Sequence, residues 1–215
     1  MTTKKMGESQ VISFFSTSLT QQLFLNFPNK DKFSIGDFSG SQDRKFADFF
    51  AGTDSTNILI EFKELKEETK DELNKPLRVK LCQQLTNDLA EESRKCHFIA
   101  WGNNNSALQV ELVPYVDLVC QKYKGCPPLQ EIHEIAHSDF ITSFLSGGEG
   151  LSYSNFTNYI GHLNTVAGGI TDGSQAPFKS ILYSYKNGNL IGTRFENLRE
   201  LNELMSIRPR SSWRP

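Results

Sequence analysis

The segment Phe46-Ala-Asp-Phe-Phe, followed by a short turn and then by Asn57-Ile-Leu-Ile-Glu-Phe-Lys63, carries the most informative pattern of the chain. Glu61 and Lys63 are separated by one residue, and side chains alternate between the two faces of a strand. The pattern therefore predicts an apolar strand with an acid and a lysine on the same face. Asp48 places a second carboxylate just upstream of this strand.

Two carboxylates and a lysine are the side chains that a metal-assisted phosphodiester hydrolase requires. Hard divalent cations such as Mg²⁺ or Mn²⁺ prefer oxygen ligands, which Asp48 and Glu61 would supply. The Lys63 ammonium would position the attacking water or stabilise the charge of the transition state. The alternative is that Glu61 and Lys63 form an ordinary ion pair on a solvated face of the sheet.

The apolar periodicity of the first half predicts the order helix, three strands, helix, strand. A charged connector over 64–75 precedes the second helix, which has Pro76 in its first turn. The predicted helices cover 8–25 and the stretch from Pro76 through Leu89, and the predicted strands cover 33–38, 45–50, 57–63 and 96–101.

Together with Asp48 and the Glu61-Phe-Lys63 tripeptide, this order resembles the PD-(D/E)XK nuclease superfamily of restriction, repair and defence nucleases. The resemblance implies an α/β fold, in which a restriction-endonuclease-like mixed sheet flanked by helices forms in αβββαβ order within residues 1–105. It also implies Mg²⁺-dependent (or Mn²⁺-dependent) hydrolysis of DNA, of a restriction, repair or mobile-element type. The implied catalytic residues are Asp48, Glu61 and Lys63, and Asp48 and Glu61 are the implied metal ligands.

The resemblance assigns roles to further positions. Many members carry an acid on the first helix, for which Glu8 is the candidate in this chain. The backbone carbonyl of Phe62 would be a further metal ligand. Arg78 and Lys80, at the start of the second helix, would contact the phosphates of the DNA backbone.

Residues 106–215 form an appended α+β region, either separate from the nuclease-like core or part of the same compact domain. Its pattern predicts a strand over 107–118 that bends at Pro114, and helices over 127–144 and 154–163. A hairpin with an Asn187-Gly188 turn and a closing helix over 194–205 complete the prediction.

His133-Glu-Ile-Ala-His137 matches the H-E-x-x-H pattern of zinc metalloproteases, which gives an alternative function. On a helix the two imidazoles would share Zn²⁺, and Glu134 would act as general base. A second alternative joins both histidines with Cys120 and Cys126 in a structural Zn²⁺ site. The third is that no metal binds there and that the cysteines are buried reduced thiols.

The 215-residue chain has a net charge of −2, which does not favour a protein that coats nucleic acid. A nuclease stays compatible with this charge, because its metal ligands are acidic. No apolar run is long enough to span a membrane, and the N-terminus lacks an apolar signal core. These features predict a cytoplasmic protein with DNA as its partner and no contact with membranes. A homodimer and a non-catalytic interaction protein with a nuclease fold remain open alternatives.

Overall fold

A mixed sheet with helices on both faces forms the frame of the molecule, so the predicted α/β class is confirmed. The computed structural model describes residues 7–27, 31–103, 107–123, 130–186 and 189–207. In chain order the elements of these residues are α1 (Glu8–Asn26), β1 (Lys32–Asp37), α2 (Ser41–Lys45), β2 (Phe49–Gly52), β3 (Asn57–Lys63), a 3₁₀ helix (Lys66–Asn74), α3 (Pro76–Gln84), α4 (Asn87–Cys96), β4 (His97–Asn103), β5 (Gln109–Pro114), α5 (Tyr115–Val119), a 3₁₀ turn (Cys120–Lys122), β6 (Ile135–Ala136), α6 (His137–Ser146), α7 (Tyr153–Val166), β7 (Ser180–Lys186), β8 (Asn189–Phe195) and α8 (Leu198–Ser206).

The strands lie across the sheet in the order β6-β5-β4-β3-β2-β1-β7-β8. β1, β2 and β3 form an antiparallel meander, whereas β3 and β4 are parallel. Parallel neighbours need a crossover connection, and α3 and α4 provide it here. β5 and β6 extend one edge of the sheet, and β7 and β8 extend the other. Residues 106–215 therefore continue the sheet that residues 1–105 begin.

Both faces of the central strands are buried, and each face packs against its own layer of helices. Ile58, Ile60 and Phe62 of β3 pack in the core beneath α1 and α6. Glu61 and Lys63 point to the opposite face, toward the 3₁₀ helix and α3. The alternation predicted for β3 is thus confirmed. All seven residues of the strand are buried, so this face is not a solvated surface.

Several element boundaries differ from those that periodicity predicts. The strand expected over 45–50 begins at Phe49, because residues 41–45 form α2. The long helix after Pro76 is two helices, since Thr86 interrupts it and accepts a hydrogen bond from the N–H of Leu89 at 3.3 Å. A leucine repeat that continues across such a break does not reveal it.

The helix expected over 127–144 is wrong over residues 130–136, and residues 127–129 lie outside the described part of the chain. Residues 130–134 are irregular, and Ile135 and Ala136 form β6, which pairs with β5. Helix α6 begins only at His137. The physical reason is that pairing with β5 satisfies the backbone of β6, and a local pattern cannot anticipate that tertiary contact. The carboxylate of Glu134 forms an ion pair with Lys66.

The last third of the chain agrees with its predicted elements. α7 covers the helix expected over 154–163, and β7 and β8 form the expected hairpin. The predicted Asn187-Gly188 turn lies outside the described residues. The closing helix begins at Leu198 rather than at residue 194. Among the described residues, no helix has both the length and the apolar character that crossing a membrane requires.

His97 opens β4 and lies inside a polar cluster behind the sheet. Its ring is fully buried and stacks on Tyr115 at 4.3 Å between ring centroids. Its Nδ1 lies 2.8 Å from the hydroxyl of Tyr159, which donates in turn to Ser93 Oγ. Burial, and then the positive charge of Arg78, lower the pKa of His97 to about 3. The imidazole is therefore neutral in the folded protein.

We expect His97 to make the fold acid-sensitive. The unfolded imidazole protonates near its ordinary pKa of about 6.5, whereas the folded one stays neutral down to about pH 3. The unfolded state therefore binds the extra proton between these values. The free energy of unfolding should fall by up to about 1.4 kcal/mol per pH unit as the pH drops through this window.

Urea denaturation of the parent and of His97→Gln at about pH 7, 6 and 5 measures this contribution. In the His97→Gln protein the free energy of unfolding should depend less steeply on pH than in the parent. The difference in slope should correspond to the uptake of about one proton on unfolding. His133→Gln is the matched control, because His133 is exposed. An equal pH slope for His97→Gln and the parent would contradict the assignment.

Candidate active site

Asp48 lies at the start of β2 and reaches across to β3. Its Oδ2 accepts a hydrogen bond of 2.6 Å from the backbone N–H of Phe62. β2 pairs with β3 only over 57–60, so the N–H of Phe62 lies beyond the end of that ladder and is bonded by a side chain instead. This contact places the carboxylate of Asp48 beside the part of β3 that carries Glu61 and Lys63.

Glu61 is fully buried and contacts three cationic side chains. Its Oε1 lies 3.1 Å from Lys63 Nζ and 2.5 Å from Lys75 Nζ. Its Oε2 accepts a hydrogen bond of 3.0 Å from Arg78 Nη2. Burial alone would raise the pKa of Glu61, but the three cations outweigh burial and hold it well below its usual range. Glu61 therefore keeps its negative charge inside the protein.

Lys63 lies among carboxylates at the end of β3. Its Nζ donates to the carbonyl of Phe62 at 2.6 Å and to Glu61. It also lies 3.2 Å from Glu72 Oε1 and 3.9 Å from Glu8 Oε2, so the acid expected on the first helix reaches the rim of the site. Burial would lower the pKa of Lys63, but the carboxylates, Glu61 first, raise it above its ordinary value. Lys63 thus acts as a fixed positive charge and hydrogen-bond donor, and not as a base.

The charged connector contributes a buried acid that periodicity does not identify. It forms the 3₁₀ helix before α3, and Glu72 in this helix is fully buried beside Lys63, Lys75 and Arg78. Its Oε2 accepts a hydrogen bond of 3.0 Å from the hydroxyl of Tyr115. Its Oε1 lies 3.2 Å from Lys63 Nζ and 2.6 Å from Lys75 Nζ, within ion-pair distance of both ammonium groups. The only sequence signal is the three-residue spacing of Glu72, Lys75 and Arg78.

The two residues expected to contact phosphates lie in different environments. Arg78 is only 2% exposed, and its Nη1 donates to the carbonyl of Phe46 at 3.2 Å while Nη2 donates to Glu61. Its placement inside the protein does not fit the expected contact with DNA phosphates, and it orients Glu61 instead. Lys80 is exposed and donates to the carbonyl of Val166 at 2.9 Å. Its contact with phosphates stays a prediction.

Asp48 differs from Glu61 in its electrostatic environment. Burial, and then the neighbouring Glu61 carboxylate, raise the pKa of Asp48 to about 8, and Asp43 adds a further carboxyl group nearby. Among the described residues, no lysine or arginine forms an ion pair with Asp48. A half-buried oxygen donor without a cation, next to a second carboxylate, fits a hard divalent ion.

Within the described part of the chain, no group of three Asp, Glu, His or Cys side chains is arranged to hold a metal ion. An ion held by Asp48 and Glu61 would therefore take its remaining ligands from backbone oxygens, water or substrate. Mg²⁺ commonly binds in this way, through one or two carboxylates together with water and phosphate oxygens.

The residues of the two zinc alternatives do not come together. Cys120 is joined to Cys82 by a disulfide, and the two Cα atoms are 5.2 Å apart. This pairing corrects the expectation of reduced thiols and removes Cys120 from the proposed zinc ligands. Cys126 lies outside the described residues. His133 is exposed in an irregular segment and His137 begins α6, so the helical H-E-x-x-H geometry is not formed.

Replacing Asp48 by asparagine should stabilise the protein in the presence of a chelator. Above about pH 8, where Asp48 is ionised, the change removes a half-buried charge that faces Glu61 but keeps a side-chain oxygen for the N–H of Phe62. We expect the free energy of unfolding to rise by about 1 kcal/mol in urea denaturation. Asp71→Asn is the control, because Asp71 is exposed. A less stable Asp48→Asn protein would show that Asp48 is a structural residue.

Removing Glu72 should be costly, because Lys63, Lys75 and Arg78 would lose a buried counter-charge. We expect Glu72→Ala to lower the free energy of unfolding by about 3 kcal/mol. Glu67→Ala, an exposed position of the same 3₁₀ helix, should change it by less than about 0.5 kcal/mol. Similar losses for the two variants in urea denaturation would show that the ion pairs of Glu72 do not contribute to stability.

Comparison of the chain with protein-family models, with curated proteins and with solved structures gives no match. The geometry around Asp48, Glu61 and Lys63 is therefore the basis for inferring a function. Glu72 and Lys75 are the charged residues that the structure adds to this site.

Proposed function

We propose that the protein is a divalent-metal-dependent nuclease that hydrolyses phosphodiester bonds of DNA at a PD-(D/E)XK-like site. The observation that carries this proposal is the hydrogen bond from the N–H of Phe62 to Asp48, which brings that carboxylate beside the buried Glu61–Lys63 pair. The meander of β1, β2 and β3, followed by a crossover to parallel β4, is the arrangement expected of a restriction-endonuclease-like core and supports the proposal.

Each residue of the site has a chemical role in this proposal. Asp48 and Glu61 would hold Mg²⁺ or Mn²⁺, which when bound supplies an activated water and neutralises charge on the phosphate. Lys63 provides a fixed ammonium that stabilises negative charge on the scissile phosphate. Arg78 holds Oε2 of Glu61 and thereby orients the carboxylate. Lys80, exposed on α3, would contact the DNA backbone.

Burial argues against an ordinary surface ion pair between Glu61 and Lys63. Solvated ion pairs contribute about 0–1 kcal/mol to stability, and their charges lose little hydration when the pair forms. A carboxylate with no exposed surface loses several kcal/mol of hydration, which its partners only partly return. Strongly perturbed, buried ionisable groups are concentrated at functional sites. The cluster around Glu61 therefore supports a functional role better than a stabilising one.

A second candidate function is DNA binding without cleavage by a nuclease-like fold. The observation that favours it is the full set of cationic partners around Glu61, which already balances this carboxylate. Such a protein would bind DNA in the presence of Mg²⁺ without cutting it.

Incubation of the purified protein with supercoiled plasmid and Mg²⁺ or Mn²⁺ tests the proposal. The parent should nick or linearise the DNA, and a chelator should abolish this activity. Asp48→Asn and Glu61→Gln should each lower the cleavage rate by about a hundredfold or more, because each removes a metal-binding oxygen. Glu67→Gln should cleave at the parental rate, since Glu67 is exposed outside the site.

Circular dichroism and urea denaturation would confirm that each variant is folded. A folded Glu61→Gln protein that cleaves as fast as the parent would contradict the catalytic assignment. A parent that binds DNA without cutting it in either metal would support the second candidate function.

A further inference from the structure

Lys75 lies at the rim of the site and bridges two buried carboxylates. Its Nζ is 2.5 Å from Glu61 Oε1 and 2.6 Å from Glu72 Oε1. Its side chain is 43% exposed, whereas the side chains of Lys63 and Arg78 are 9% and 2% exposed. Of the three cations that contact Glu61, Lys75 is therefore the one with ready access to solvent.

Exposure makes Lys75 the easiest of these cations to remove. An ammonium that turns outward regains hydration and rotamer freedom, while a buried lysine or arginine would first have to cross the core. Lys75 follows the 3₁₀ helix directly and donates its backbone N–H to the carbonyl of Glu72 at 3.1 Å. Its side chain can therefore leave by rotation while the backbone stays in place.

Lys75 and a divalent ion compete for the same oxygen. Mg²⁺ binds carboxylate oxygens at about 2.0–2.1 Å, so an ion on Oε1 of Glu61 would occupy the space that the Lys75 ammonium fills at 2.5 Å. Two cations at that separation would also repel each other strongly in a partly buried site. Oε1 of Glu61 can therefore bind Lys75 or the ion, but not both.

The charge balance of the cluster favours the exchange. Asp48 forms no ion pair with a lysine or arginine of the described segments, so an ion bound at Glu61 also meets a carboxyl oxygen that none of these cations occupies. Replacing a singly charged ammonium by a doubly charged ion supplies one more positive charge. The acids are Glu8, Asp48, Glu61 and Glu72, and the cations are Lys63, Lys75 and Arg78.

We propose that Lys75 is an internal counter-ion that competes with the divalent metal for Oε1 of Glu61, and that metal binding displaces it into solvent. The inference rests on the proposed function for the location of the metal. It gives a role to Lys75, a residue of the charged connector over 64–75, to which the resemblance to PD-(D/E)XK nucleases assigns none. Metal binding is then an exchange, in which the metal ion replaces the ammonium group of Lys75.

Isothermal titration with Mn²⁺ in the absence of DNA tests the competition. Lys75→Gln should bind Mn²⁺ about fivefold more tightly than the parent, as expected for loss of a partly exposed competing ion pair. Lys70→Gln should bind like the parent, because Lys70 is an exposed lysine of the preceding 3₁₀ helix. Asp48→Asn should lose the binding, which assigns the titrated ion to this site.

The reactivity of the Lys75 amine provides a second readout. Acetylation with a water-soluble acylating reagent, followed by peptide mass spectrometry, reports whether the ammonium is paired with carboxylates. Lys75 should react more slowly than Lys70 in a chelator and at about the same rate as Lys70 in saturating Mn²⁺. The reactivity of Lys70 should not depend on the metal.

Failure of the inference and failure of the proposed function give different results. Equal Mn²⁺ affinity for Lys75→Gln and the parent, or metal-independent acetylation of Lys75, would overturn the inference even if the parent cleaves DNA. Tighter binding by Lys75→Gln without any DNA cleavage would support the inference and contradict the nuclease. Absence of Mn²⁺ binding in every variant would also overturn the inference, because removing Lys75 should expose the site.

Discussion

The burial of the Glu61 carboxylate determines how the helical layer lies on this side of the sheet. A charge that leaves water must meet opposite charges nearby, and Glu61 meets three of them. Lys63 comes from the same strand, Lys75 from the end of the 3₁₀ helix and Arg78 from α3. These contacts hold the crossover between the parallel strands β3 and β4 directly over the end of β3. Glu72, in the 3₁₀ helix, forms ion pairs with the same three cations.

The two carboxylates of the candidate site have opposite electrostatic environments. Glu61 has an excess of cations and a lowered pKa, whereas Asp48 has acidic neighbours and a raised one. This arrangement lowers the stability of the protein, because the ionised carboxylate of Asp48 would be better stabilised in water or beside a cation. Strain of this kind is typical of sites where function, and not stability, sets the arrangement of charges. A cation bound beside Asp48 would remove this cost.

The strand at the centre of the site, β3, could be predicted because its own residues determine which side chains face which side of the sheet. Alternation along β3 depends only on the period of two, and the structure keeps it. Glu72 and Lys75 could not be predicted, since they belong to a charged run whose composition is that of a solvated connector. Glu72 is buried beside Tyr115, a partner 43 residues away in the chain, whose hydroxyl donates a hydrogen bond to it. The helix predicted for the H-E-x-x-H segment was wrong for the same reason. Ile135 and Ala136 of this segment pair with β5, and this pairing is a tertiary contact.

The oxygens of Glu61 divide the site into a fixed part and an exchangeable part. Oε2 is held by Arg78, which is buried and cannot leave without unfolding its surroundings. Oε1 is shared by Lys63 and the half-exposed Lys75, so one of its partners can change while the carboxylate stays in place. The metal that we propose would enter such a site with little reorganisation of the protein, and a preorganised carboxylate would make electrostatic catalysis efficient. The ion pairs that bury Glu61 would therefore also keep it oriented for that metal.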